Sequence, residues 1–202
     1  MSKLYTCIDL KKYDEAIQTC TEILSLKARK NESDGIPMPE EKCVRAIVGG
    51  ALQNYHDAHS ASDEVALDSS KRTLARVRQL LDQMKSVNSE AWLYEVSACF
   101  NEEMGWREEV FTDLMKEYRT LQSAKGWEED PAKIAKMTNL VKDIYSHHKA
   151  EGSTRGNLVK CKLLISGVSK KIRGASGDSE LPEEIAVLDA LILELEKTME
   201  EL

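Results

Sequence analysis

Tyr13-Asp14-Glu15-Ala16-Ile17-Gln18-Thr19-Cys20-Thr21-Glu22-Ile23-Leu24 is the stretch on which the reading of the fold turns. Ala16, Ile17, Cys20, Ile23 and Leu24 return at intervals of three, four and seven, which puts them on one face of a helix. The spacing predicts a helix from Tyr13 to about Ala28. Tyr13 at its head supplies a ring large enough to plug a neighbouring helix. Ala16 is small enough to let that neighbour come close. The stretch therefore asks for a helical partner on each side.

Working outward, the same periodicity recurs. A stub at 3–9 carries Leu4 and Cys7, with Leu10 just beyond. Asn31–Pro39, with Gly35, Pro37 and Pro39, reads as a polar loop. A helix follows from Glu40 to about His56, with Cys43, Ala46, Ile47, Ala51 and Leu52 inward. Gly49-Gly50 sits inside it, at about 1 kcal/mol per glycine against alanine, and close helix approach is the simplest account. His59–Ser70 reads as a loop, and Lys71–Ser86 as a helix with Leu74, Val77, Leu80, Leu81 and Met84 on one face. Ser89 is the expected N-cap of a helix running through Phe100. Gly105 precedes a helix from Arg107 to about Ala124. Lys125-Gly126-Trp127 turns the chain, and Pro131 takes a first helical position.

Three further helices carry seams: Ile134, Met137, Val141, Ile144 and His148; Leu158, Cys161, Ile165, Val168 and Ile172; Ile185, Leu188, Ile192, Leu195, Met199 and Leu202. The short linkers Glu151-Gly152-Ser153 and Gly174-Ala175-Ser176-Gly177 predict antiparallel neighbours. Lys149 to Arg173 is basic and Asp178 to Leu202 is acidic, so the two blocks are expected to choose each other. The competing reading is a basic groove for a partner or RNA.

Two helices over 34 residues, with small and aromatic side chains where they cross, make a tetratricopeptide unit. Lys12-Tyr13-Asp14-Glu15-Ala16-Ile17 matches the start of its second helix. The first helix is then cut short, so the chain is expected to begin inside a repeat, with more repeats upstream. A looser unit runs from Ala91-Trp92-Leu93-Tyr94 through Gly105-Trp106 to Tyr118, and residues 40–86 form a hairpin between the two. The expected fold is all-α: an irregular α-solenoid of tetratricopeptide-like hairpins over 1–126, continuous with capping helices over 127–202.

Tyr13-Asp14-Glu15-Ala16-Ile17, Val44-Arg45-Ala46-Ile47-Val48, Glu90-Ala91-Trp92-Leu93-Tyr94, Trp127-Glu128-Glu129-Asp130 and Leu188-Asp189-Ala190-Leu191 with Glu194-Leu195 occur in this order. Together they resemble the C-terminal region of the tetratricopeptide repeat protein 27 family, over nearly the whole chain. The loops Asn31–Pro39 and His59–Ser70 depart from it. The resemblance implies a eukaryotic, non-enzymatic adaptor of cytosol and nucleus. It implies work alongside the heat-shock protein 90 machinery in maturing the spliceosomal U5 small nuclear ribonucleoprotein, and in fungi a link to cell-wall maintenance. It brings no catalytic or ligand-binding residue to any position here.

The chemistry of the chain agrees with a binding role. There is no G-x-S-x-G, no cysteine signature and no phosphate loop, since Gly49-Gly50 lacks a following Lys and Ser or Thr. Cys7, Cys20, Cys43, Cys99 and Cys161 are scattered and odd in number, which fits a reducing compartment; all but Cys7 fall on apolar faces as small core residues. His56 and His59 with Asp63 or Glu64 make an incomplete metal set, and His147-His148 suit a helix C-terminus. No catalytic, cofactor or metal site is expected. No apolar run reaches membrane-spanning length. The net charge of -7 argues against nonspecific affinity for nucleic acid over the whole surface, leaving room for a local basic patch, and no aromatics interleave Lys71, Arg72, Arg76, Arg78 and Lys85. The places matching a carboxylate clamp hold Leu93 and Ser97, so no clamp for a chaperone tail is expected. The alternatives are a structural subunit of a coat or tethering complex, and an RNA-binding adaptor.

Overall fold

A computed structural model describes residues 2–29, 37–152, 154–176 and 182–202. Among them the chain is all-α. The helices are α1 (Ser2–Asp9), α2 (Tyr13–Arg29), α3 (Glu41–Ser60), α4 (Glu64–Val87), α5 (Ala91–Glu103), α6 (Arg107–Ser123), α7 (Pro131–Ala150), α8 (Arg155–Ser176) and α9 (Glu183–Glu200), with one 3-10 turn at Trp127–Glu129.

Several local expectations change. His59–Ser70 is not a loop: α3 runs on to Ser60 and α4 already begins at Glu64. Ser62 turns the chain at φ 53°, and the Asp63 carboxylate then accepts from the amides of Val65 and Ala66, which caps the helix. Ser89 is not the cap of α5; Glu90 holds that place, its carboxylate accepting from the Trp92 indole N–H rather than from a backbone amide of the helix. Gly174–Ser176 belong to the last turn of α8 rather than to a linker. In the Asn31–Pro39 loop, residues 31–36 lie outside the described residues, as do Ser153 and Gly177 of the two later linkers. Leu202 follows the end of α9 and is 67% exposed, so the last seam closes before it.

The chain forms two compact units, Met1–Trp106 and Arg107–Leu202. The division falls inside the second repeat read from Ala91 to Tyr118, and ahead of the boundary placed after residue 126.

In the first unit, α1 packs on α2 and α3, α2 on α3 and α4, and α5 on α3 and α4. Its core joins Leu4, Ile17 and Cys20 to Ile47, Leu74, Leu80 and Phe100, all buried. Each such aliphatic or aromatic burial contributes about 1.5–3 kcal/mol. Tyr13 and Gly50 explain how α2 meets α3 so closely. A Cβ on Gly50 would lie 2.0 Å from the Tyr13 ring, inside it for practical purposes. The ring plugs its neighbour, and glycine is the residue that makes room. Gly49 differs: nothing lies within 4 Å of a Cβ built there.

In the second unit, α6 packs on α7, α7 on α8 and α9, and α8 on α9, with the 3-10 turn against α7 and α8. Gly126 takes φ 68°, a conformation glycine reaches without strain, and swings Trp127 inward to 1% exposure. The Asp130 carboxylate accepts from the amides of Ala132 and Lys133, and Pro131 opens α7 as read from the sequence. Leu158, Cys161, Ile165, Val168 and Ile172 are buried, facing Ile134, Met137, Val141 and Ile144, together with Ile185, Leu188 and Leu195. The basic and acidic blocks do meet: Lys162 pairs with Glu196 at 2.7 Å and Arg173 with Asp189 at 2.5 Å.

Candidate protein-interaction surface

The isolated chemical groups noted in the sequence take structural places. His56 lies 3.2 Å from Glu103 of α5, His59 sits beside Tyr55, and Asp63 caps α4. Both histidines neighbour the Tyr55 ring, and the Asp63 carboxylate is taken up by the cap. Among the described residues no group of three or more His, Cys, Asp or Glu is arranged to hold a metal.

His147 and His148 pack on Phe111 of α6, their ring centroids 5.7 and 4.7 Å from it. His147 Nε2 is 3.4 Å from Glu151, and His148 Nδ1 is buried with no hydrogen-bond partner among the described residues. Burial, reinforced by the charge of His147, lowers the pKa of His148. Cys20 and Cys161 are core residues whose thiols burial pushes up to about 12 and about 11. Cys99 is the exception to the cysteine reading: it is exposed, because Ala98 and Phe100 on either side turn inward.

Four of the five cations read on α4 are engaged within the chain. Arg72 meets Asp68, Arg76 meets Asp14, the Arg78 guanidinium lies 4.1 Å from the Trp106 ring centroid, and Lys85 reaches Asp82 and Ser97. Leu93 and Ser97, the positions matched to a carboxylate clamp, are both buried at 1% exposure or less.

One open surface of the first unit is a trough between α3 and α5. Val48, Gly49 and Leu52 of α3 and Val96 and Cys99 of α5 floor it, and its volume is about 450 Å³. Arg45 closes one end by pairing with Glu95 at 2.8 Å, and His56 with Glu103 closes the other. Since later residues of α3 meet later residues of α5, the two helices run parallel. Their parallel course leaves a shallow channel floored by small and apolar side chains, with the Arg45–Glu95 ion pair at one end and the His56–Glu103 contact at the other. Gly49 has no packing partner at its Cβ position, so its absent side chain simply deepens the floor.

A second groove of about 540 Å³ lies between α2 and α4. Gln18, Gln79, Gln83 and Arg76 make it more polar, with Ile17 and Leu26 as its apolar part. Its amides could hydrogen-bond an extended backbone, but Arg76 is already held by Asp14.

Neither surface is visible as a sequence motif. The nearest signal is Gly49, a second glycine in a helix where only one is needed for packing.

No family model, no curated protein and no solved structure matches this chain.

Proposed function

We propose that this chain is a non-enzymatic protein-interaction scaffold, built as an irregular α-solenoid of tetratricopeptide-like hairpins. The observation that carries the reading is the trough between α3 and α5. It is a long, shallow, apolar-floored surface on rigid helices, of the kind that takes a peptide or helix by shape. Two features of the first unit support the solenoid. The hairpins α1–α2 and α3–α4 pack on one another, and an aromatic at the head of one helix fills a glycine notch in the next. The motif resemblance extends the proposal to an assembly factor of cytosol and nucleus, maturing the spliceosomal U5 particle with the heat-shock protein 90 machinery.

The test is to fill the trough. Gly49→Arg fills the floor at a position where nothing lies within 4 Å of a Cβ, so helicity by circular dichroism should be kept. Tagged wild-type and variant chains are then compared by quantitative affinity mass spectrometry. Loss of U5-particle and chaperone components from the variant alone supports the reading. Their equal recovery with both chains, or from neither, defeats it.

A further inference from the structure

Within the second unit α8 is packed by α7, α9 and the 3-10 turn, and one face is left uncovered. The flank toward α9 shows what this helix takes. There an apolar seam (Leu158, Ile165, Ile172 against Ile185, Leu188, Leu195) is flanked by cations of α8 meeting carboxylates of α9. The uncovered face has the same ingredients. Val159 and Leu163 stand 44% and 68% exposed, four residues apart and so on one side of the helix. Lys160 and Lys170 lie beside them, exposed, with no ion pair among the described residues. Gly167 falls on the same line, one turn beyond Leu163, with Gly156 and Gly174 at the ends, and a Cβ at any of the three would meet nothing within 4 Å.

The fold gives no reason for this arrangement. A mid-helix glycine costs about 1 kcal/mol relative to alanine, and no neighbour within the chain needs the space at Gly167. An exposed leucine flanked by lysines gains nothing in water. Both make sense if a second helix lies along the strip, closest at Gly167, with Leu163 under it and carboxylates toward Lys160 and Lys170. The charge of the occupant follows from the strip, which carries cations and no acid. α9 is an example, on the same helix, of the partner such a surface takes.

We propose that the outer strip of α8, formed by Val159, Lys160, Leu163, Gly167 and Lys170, docks an acidic amphipathic helix of a partner protein. The strip lies in the second unit, and its occupancy does not depend on the α3–α5 trough. RNA is the weaker occupant because the strip has no aromatic side chain to stack on a base. A lipid surface is weaker because two apolar side chains make a small membrane-binding face.

The probe is a synthetic helix of Glu, Ala and Leu, with leucines at helical spacing, fluorescently labelled and titrated against the full chain by anisotropy. Saturable binding that weakens as salt rises is expected. Leu163→Glu should weaken it at least about tenfold, equivalent to 1.4 kcal/mol. Lys160→Glu with Lys170→Glu should abolish it and create binding to the counterpart peptide with Lys in place of Glu. Gly49→Arg, in the trough, should change nothing, which separates this proposal from the preceding one. Absence of saturable binding, or binding indifferent to Leu163→Glu, overturns the proposal. Tighter retention on phosphatidylserine vesicles or single-stranded RNA would reassign the strip to those ligands. Light scattering that shows a dimer dissociated by Leu163→Glu would reassign it to a second copy of the chain.

Discussion

The two units use the same material, amphipathic helices, and fasten them differently. In Met1–Trp106 the decisive contact is steric: the Tyr13 ring occupies the volume that a side chain on Gly50 would need. In Arg107–Leu202 long apolar seams are edged by cation–carboxylate pairs, Lys162 with Glu196, Arg173 with Asp189, and Lys149 with Glu194 at 2.7 Å. A steric lock is specific because almost no other residue pair satisfies it, and salt does not weaken it. Edge charges choose a partner of opposite sign, but each exposed pair adds only about 0.2–1 kcal/mol. The first unit thus adds a steric lock to interhelical ion pairs of its own, Arg76 with Asp14 and Arg45 with Glu95, whereas the second relies on pattern.

The largest effect should come from the exception to that contrast, the most deeply buried aromatic among the described residues of the patterned unit, Trp127. Trp127→Ala is expected to cost about 3–5 kcal/mol, measured by urea unfolding, with hydrogen exchange placing the loss in α7 and α8. A loss below about 1 kcal/mol would show that the seams hold α7 and α8 without the tryptophan.

Gly50→Ala should cost about 1–3 kcal/mol through overpacking. The cost should shrink in the double variant with Tyr13→Ala, because the clash then has no second party. Additive effects would break the steric account of the first unit. Gly49→Ala, one residue away, is expected to do the reverse and raise stability by about 0.5–1 kcal/mol. That opposite sign from adjacent identical residues is the sharpest single test of the lock.

Replacing Arg173 or Lys162 by alanine should cost about 0.2–1 kcal/mol each at low salt, and the difference should fade as salt is raised.

The smallest effect is a slope with pH. Burial, then repulsion from His147 and from Lys160, disfavours the charged form of His148, while Glu151 works the other way and Phe111 of α6 packs against the ring. The unfolded chain accepts a proton at this residue near pH 6.5, and the folded chain only at lower pH. Stability should therefore be level above about pH 6.5 and fall as pH drops below it, flattening once the folded state is protonated too. His148→Phe should remove this part of the slope in thermal melts across that range.

Much of the fold can be read in the chain because so many helices declare a buried face. The seam of α8 and the Asp130-Pro131 opening of α7 are of this kind, local patterns with local causes. The first turns of α4 were illegible for the complementary reason. Val65 is 83% exposed, so a helix is present where no apolar periodicity marks one, and the Asp63 cap is the only local sign. Cys99 misled because a cysteine between Ala98 and Phe100 looks apolar in sequence, whereas only its two neighbours turn inward. The trough was out of reach altogether. It exists because α5 lies parallel to α3, fastened by Arg45 and Glu95 across fifty positions of sequence, and no window along the chain contains both walls.

The exposed position of Cys99 also makes the protein its own reporter. Cys7, Cys20, Cys43 and Cys161 are buried, and with thiols pushed up to about 12 and about 11, Cys20 and Cys161 hold almost no thiolate at neutral pH. A maleimide dye should therefore label one site quickly and the rest only as the fold opens. That site lies on the floor of the trough, so the rate of labelling becomes a clock for occupancy. Any ligand seated between α3 and α5 should slow it, in the unmodified chain and without a single substitution.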